Sequence, residues 1–262
     1  GGDPYPLPVG QSLHECIGTV TASSSAFAEG DRVLVLPPAF RGLCQYVVAP
    51  ASKAIALPPC EVSADELVLA QPLGTVVCAA RKLGNIVGKD VVVLGQGPMG
   101  LMIDAVMSNL RARSVIGVDP LAYRLEVARF LGATATVDCS AADTLEAVAE
   151  ATSGAMADLV VEAVGHQTET INTCIRLAKR NGTVLAFGVP DAFLYDRFAY
   201  AEFFRGNLRL IGSVGPDAVP DFSLARDWIV QRRVDLRPLI THVLPFSEAA
   251  NAFDLFVNRK DG

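Results

Sequence analysis

The chain has 262 residues, 51% hydrophobic and 19% charged, which excludes general disorder and leaves room for two domains with sizeable cores. Its net charge of −6 argues against a nucleic-acid partner, which requires a basic face. No apolar run approaches the roughly 18 residues that cross a bilayer, and the opening Gly1-Gly2-Asp3-Pro4 has no signal-peptide pattern, so neither membrane nor export is expected.

Six cysteines are scattered singly without a Cys-x-x-Cys, the usage of reduced thiols in a cytoplasmic protein. Up to about residue 60 the chain reads as β-rich. Short apolar runs at 16–20, 32–36 and 45–48 lie between Gly, Pro and Ser clusters. Ser63-Ala64-Asp65-Glu66 forms a capping box that opens a helical stretch through 67–73. Strand and helix then alternate. Strands are predicted at 91–94, 115–118, 135–137, 159–162, 183–187 and 208–211, and helices at 98–109, 121–131, 145–151 and 170–179. Repeated βα units with wholly apolar strands imply an α/β fold, a parallel sheet covered by helices on both faces. Beyond Gly215 the alternation lapses, and one helix is predicted over 223–233.

The strand at 91–94 leads directly into Gly95-Gln96-Gly97-Pro98-Met99-Gly100, and a helix follows. In that context the first glycine permits the tight turn, the second lets backbone approach a pyrophosphate, and the third lets helix and strand pack closely. The helix N-terminus supplies free N–H groups to phosphate, and Pro98 fits the first turn, where its missing N–H costs nothing. Met99 belongs to the same turn. Asp119 ends the next strand, 19 residues after Gly100, where an acid accepts from the adenosine ribose. A carboxylate there repels a 2′-phosphate, and Pro120, Leu121 and Ala122 intervene before Arg124, so NAD is expected over NADP. Arg124 is counted among the residues near the cofactor. The bland alternatives are a glycine-rich turn that binds nothing and an aspartate that only caps the next helix.

Further segments, Leu13-His14-Glu15-Cys16-Ile17-Gly18, Glu29-Gly30-Asp31-Arg32-Val33, Gln71-Pro72-Leu73, Glu162-Ala163-Val164-Gly165, Gly188-Val189 and Ile240-Thr241-His242-Val243-Leu244-Pro245, join the glycine loop in a pattern. Together they resemble the medium-chain dehydrogenase/reductase superfamily, in its zinc alcohol and polyol dehydrogenase branch. The resemblance implies a GroES-like β-rich catalytic domain over 1–73, a Rossmann dinucleotide-binding domain over 74–215, and a return to the catalytic domain over 216–262. It implies a homodimer or homotetramer formed through the Rossmann sheet, and further residues before and after this chain. In the branch a zinc ion polarises the oxygen of an alcohol or carbonyl substrate while hydride passes to or from the nicotinamide.

By the same resemblance His14 falls on a zinc-ligand histidine and Glu15 on the acid beside it. Gln71 stands at the third ligand position, normally Cys, Glu or Asp, and a neutral amide is a poor zinc ligand. The family's first ligand is a cysteine upstream of residue 1, and Leu13 replaces the usual glycine. The four-cysteine lobe of some relatives is absent, so Cys16 and Cys44 read as core residues. Thr75 is placed against the nicotinamide ring. Val164, Gly188, Val189 and Ser213 lie at C-terminal strand ends, where a Rossmann site opens, or else are packing residues. The leading expectation is an NAD-dependent, zinc-assisted dehydrogenase of secondary alcohols or polyols. Its rivals are a zinc-free enone or quinone reductase and an inactive nucleotide-binding relative.

Overall fold

The computed structural model describes residues 13–22, 26–190, 192–195 and 197–258. Three short antiparallel strands come first: β1 (Cys16–Thr19), β2 (Arg32–Val35) and β3 (Ala54–Ala56), with β2 central. Cys16 faces Val35 and Val33 faces Ala56, and Val33, Val35 and Ala54 make a small core joined by Phe27 and Ala49. The apolar run at 45–48 is not a strand, for Tyr46 and Val48 are exposed. The free edge of β2 is taken instead by β3, whose Ala54 and Ile55 become buried. Pro50 and the 3-10 turn Ala51–Lys53 separate the two.

Ser63 caps α1 (Ala64–Leu67) by accepting from Glu66 N at 3.2 Å, the serine half of the capping box, while the Glu66 carboxylate pairs with Arg232. Helix α2 (Ala70–Leu83) follows. The parallel sheet then builds up as β4 (Asp90–Leu94), α3 (Pro98–Asn109), β5 (Ser114–Asp119), α4 (Ala122–Phe130), β6 (Ala135–Asp138), α5 (Thr144–Ala151), β7 (Ala157–Glu162), α6 (Thr170–Leu177), β8 (Ala178–Ala186), α7 (Tyr200–Arg205) and β9 (Arg209–Gly212). Strand order is β6-β5-β4-β7-β8-β9, a doubly wound sheet whose order reverses between β4 and β7. All five residues of β4 are buried, which is why its stretch 91–94 reads as unbroken apolar sequence. Val92, Ile116, Val118, Val160 and Val184 from the strands meet Ile175 and Leu177 of α6 in the main core.

Asp90 is a polar exception in β4. It accepts from Arg113 Nε and Ser114 Oγ, each at 2.8 Å, and the Arg113 bond, the largest influence, holds its carboxyl below the ordinary carboxylate range. Helix α6 stops two residues short of the predicted end because Ala178 enters the ladder opposite Ala157. Residues 179–182 then loop out, with Asn181 at φ +64°, before Thr183 pairs with Leu159.

A π-helical turn, Ala218–Phe222, leads into α8 (Ser223–Val230), and α9 (Ala249–Asn258) closes the described chain. Helices α7 and α9 were not expected, the first because six residues are too few to show a helical period. By contact the described residues divide into two compact units, those within 1–78 and 215–234 and those within 79–214 and 235–258, so the described part of the stretch 216–262 contributes to both. Among the described residues no helix is long and apolar enough to cross a membrane, and all six cysteines are free.

Candidate functional site

In the second unit the loop after β4 is built by three glycines with different reasons to be glycine. Gly95 has φ +96°, donates its N–H to Val118 O at 2.8 Å, and leaves no room for a Cβ, which would stand 3.0 Å from the Ala163 carbonyl carbon. At Gly100 a Cβ would run into the Gly95 carbonyl. The protein itself therefore excludes side chains at both. Gly97 is unlike them. Its φ of −69° suits any residue, and a Cβ there would meet nothing within 4 Å. The space that its missing side chain keeps open lies at the N-terminus of α3. There Pro98 opens the helix without an N–H to lose, and the first closed turn is Leu101 N to Gly97 O at 3.0 Å. The amides of Met99 and Gly100 precede that turn and have no intrahelical acceptor. The result is a cradle of backbone donors and helix dipole that a Cβ would fill.

Asp119, at the end of β5, is buried and tied to this loop. Its Oδ2 accepts from Gln96 N at 2.8 Å and its Oδ1 from Leu121 N at 2.9 Å. Arg124, four residues distant from Pro120 in sequence, is carried back by the first turn of α4 to 3.5 Å from Oδ2. The charge at the end of β5 is thus a carboxylate partly matched by a guanidinium, not a lone negative charge.

Across the switch point, Glu162 ends β7 and is buried. Its Oε1 accepts from Val164 N and Gly165 N, each at 3.0 Å, so one carboxylate shapes the whole turn. Val164 is 37% exposed and Val189 53% exposed, which removes core packing as the reason for either valine. His166 N donates to Val189 O at 2.7 Å, and a Cβ on Gly188 would strike Gly165, so the turns after β7 and β8 interlock. The structure brings Gly95, Val164, Gly188 and Val189 to adjacent strand ends. Ser213 lies farther out, after β9, where its Oγ accepts from Lys82 Nζ at 3.1 Å.

In the first unit His14 sits between the isolated bridge of Leu13 with Arg41 and the start of β1. Leu13 N donates to Phe40 O at 3.1 Å and Gly42 N donates to Leu13 O at 2.9 Å, and the His14 ring lies 4.8 Å from that of Phe40. Partial burial lowers the His14 pKa, a shift toward the neutral form that a metal ligand needs. Burial pushes the Glu15 carboxyl up, an effect limited by the solvent its side chain reaches. The Cys16 thiol is pushed up to about 11 by burial, with Cys44 and Glu15 adding to it, consistent with a packing role.

Gln71 is buried on α2. Thr75, one turn later, donates its hydroxyl to Pro72 O at 2.7 Å, leaving only acceptor capacity. Among the described residues no three His, Cys, Asp or Glu side chains come together as a metal-holding group.

Sequence reasoning missed Gln96, Glu162 and Lys82 as shaping residues, and it passed over Asp104. The last left a signal, a carboxylate inside the apolar helical run 101–107.

A family model described as zinc-binding dehydrogenase matches residues 98–231. The chain is 32% identical over 224 residues to sorbitol dehydrogenase 1 of Saccharomyces cerevisiae, a match covering 83% of this chain and 61% of that protein. Among solved structures, a zinc-binding dehydrogenase of Sinorhizobium meliloti bound to NADP is 26% identical with a TM-score of 0.82, covering 92% of this chain and 78% of that one. An alcohol dehydrogenase of Escherichia coli CFT073 complexed with NADH shares the fold at 22% identity and a TM-score of 0.79, covering 93% of this chain and 79% of that one. The chain spans about 60% of the length of the curated relatives it matches.

Proposed function

The chain belongs to the zinc-binding dehydrogenase family, and on that premise we propose that it is the larger part of an NAD-dependent oxidoreductase acting on a secondary alcohol or polyol and its ketone. The observation that carries this reading is the open space at Gly97. Nothing in the protein requires glycine there, whereas a pyrophosphate against the α3 amides does. Gly95, Gly97, Pro98, Met99 and Gly100 would hold the pyrophosphate. Asp119 would accept from the adenosine ribose with Arg124 beside it, and Val164, Gly188 and Val189 would line the crevice at the switch point. The nicotinamide, when bound, supplies the hydride acceptor or donor. The protein's own part is to orient that ring and keep water from it. NAD is preferred over NADP because the Asp119 carboxylate disfavours a second phosphate, a preference that the nearby Arg124 moderates.

For zinc, this chain offers the imidazole of His14 and the adjoining Glu15, with Gln71 and Thr75 in the roles the resemblance implies. Those described side chains do not make a three-ligand set, so no step is drawn through the metal. The enzymatic rival is a zinc-free enone or quinone reductase, and Gln71 favours a further reading, an inactive nucleotide-binding relative. We assign cofactor binding to 74–215 and catalysis to 1–73 with 216–262. A cytoplasmic location is supported by the six free thiols, and assembly as a dimer or tetramer by the open outer edge of β9 among the described residues. The test is NADH and NADPH titration followed by turnover on paired panels of polyols and enones. NADH binding with polyol oxidation supports the first reading. Enone reduction alone supports the second, and binding without turnover an inactive relative.

A further inference from the structure

The strand ends of the parallel sheet fall into two halves about the switch point between β4 and β7. Asp119, assigned above to the adenosine ribose, ends β5 in one half. The other half is β7, β8 and β9, so a dinucleotide laid across the crevice puts its nicotinamide end over their C-terminal ends. The turns after β7 and β8 present Val164 and Val189, both partly exposed. Ser213, directly after β9, adds a hydroxyl to that row.

Ser213 is held at its backbone and at its side chain. Its N–H donates to Ala186 O at 3.3 Å, one residue beyond the pairing of Ala186 with Gly212. Its Oγ accepts from Lys82 Nζ at 3.1 Å, and the same ammonium lies 3.5 Å from Gly212 O. Lys82 stands in the last turn of α2 and belongs with Ser213 to the second unit. A surface lysine ordinarily keeps its rotamer freedom in water. This one is exposed yet turned onto two oxygens of a single strand end.

The chemistry of the pair fixes its polarity. An ammonium can only donate, so Ser213 Oγ is the acceptor and its own O–H is directed elsewhere. Among the described residues no acceptor takes that O–H. The hydroxyl therefore has one lone pair occupied and a donor to offer at the strand end.

We propose that Lys82 is a positioning residue for the nicotinamide, holding the Ser213 hydroxyl as a hydrogen-bond donor to the carbonyl oxygen of the carboxamide. That oxygen can only accept, which matches the donor that Lys82 leaves free. Lys82 touches neither cofactor nor substrate in this role and acts through Ser213. The inference rests on the cofactor reading above.

The test is calorimetric titration of the full chain and of K82M, K82R, S213A and the K82M/S213A double variant with two ligands. NADH carries the carboxamide, whereas ADP-ribose has the same adenosine, pyrophosphate and ribose without the nicotinamide. K82M and S213A should each bind NADH about fivefold more weakly and keep ADP-ribose affinity within about twofold of the parent. K82R, which retains a donor, should bind NADH within about twofold of the parent. The double variant should be no weaker than S213A alone, because both changes remove one interaction. Lys82 is exposed and Ser213 half-buried, so the variants should melt with the parent. Unchanged NADH binding in K82M, or an equal loss for both ligands, would overturn the proposal. So would a K82R as weak as K82M, or losses that multiply in the double variant. A parent that binds neither ligand would sink the cofactor reading as well, whereas a parent that binds both while K82M matches it would sink the role of Lys82 alone.

Discussion

The loop after β4 and the loop carrying His14 are built on different principles. The first is a backbone site. Its donors are amides at a helix N-terminus, its shape is set by glycines that the protein excludes from bearing side chains, and its supports, Gln96 and Asp119, lie in the same unit. The second presents a side chain. His14 is held by two backbone hydrogen bonds of Leu13 and by the Phe40 ring, and its chemistry depends on further donors. A phosphate cradle is complete when one loop folds, whereas a metal site is complete only when several side chains converge. That contrast accounts for a backbone cradle that is whole among the described residues beside a metal set that is not.

The contrast breaks most visibly within the glycine loop itself. Gly100→Ala should destabilise the second unit by about 3 kcal/mol, because its methyl must displace the Gly95 carbonyl, while Gly97→Ala should leave stability unchanged. Urea unfolding of the two variants checks this, and equal losses would mean that Gly97 is structural too. Next in size, Asp119→Ala should reduce the NADH-over-NADPH preference by about tenfold, since it removes the ribose acceptor and frees Arg124 for a phosphate. An unchanged ratio of dissociation constants would take Asp119 out of the ribose pocket.

On the His14 side, Gln71→Glu should raise zinc retained per chain several-fold after dialysis against dilute chelator, because it adds an anionic oxygen at the position where the family resemblance implies a ligand. No gain would remove position 71 from the ligand set. The smallest effect concerns pH. The Asp90 carboxyl is held below its unfolded-state pKa, so its contribution to stability is present above the unfolded value and is lost as pH falls through the folded one. The stability difference between the parent and Asp90→Asn should be largest near neutrality and vanish in strong acid, which melting curves across pH would show.

How much of this was legible in sequence varies with how local the cause is. The parallel sheet could be read because its strands are buried on both faces, and the glycine loop because turn, close approach and helix start are fixed by neighbouring residues. Strand pairing is not local. The run at 45–48 has better strand composition than Ala54–Ala56, but it is the latter that pairs with β2 and buries Ile55. Gln96 looked like a spacer because its role depends on Val93 and Gly117, which two different strands bring to it. Arg124 seemed too far from Asp119 until the first turn of α4 returned it. His14 and Gln71 were singled out by resemblance alone, and neither has a local pattern that announces a ligand.

The central claim is that the space at Gly97 exists for a pyrophosphate, and a fluorescence titration of Gly97→Val with NADH tests it most directly. The valine side chain meets no protein atom within 4 Å at its Cβ, so the variant should melt with the parent while its NADH binding is lost. A folded Gly97→Val chain that binds NADH as the parent does would contradict the account.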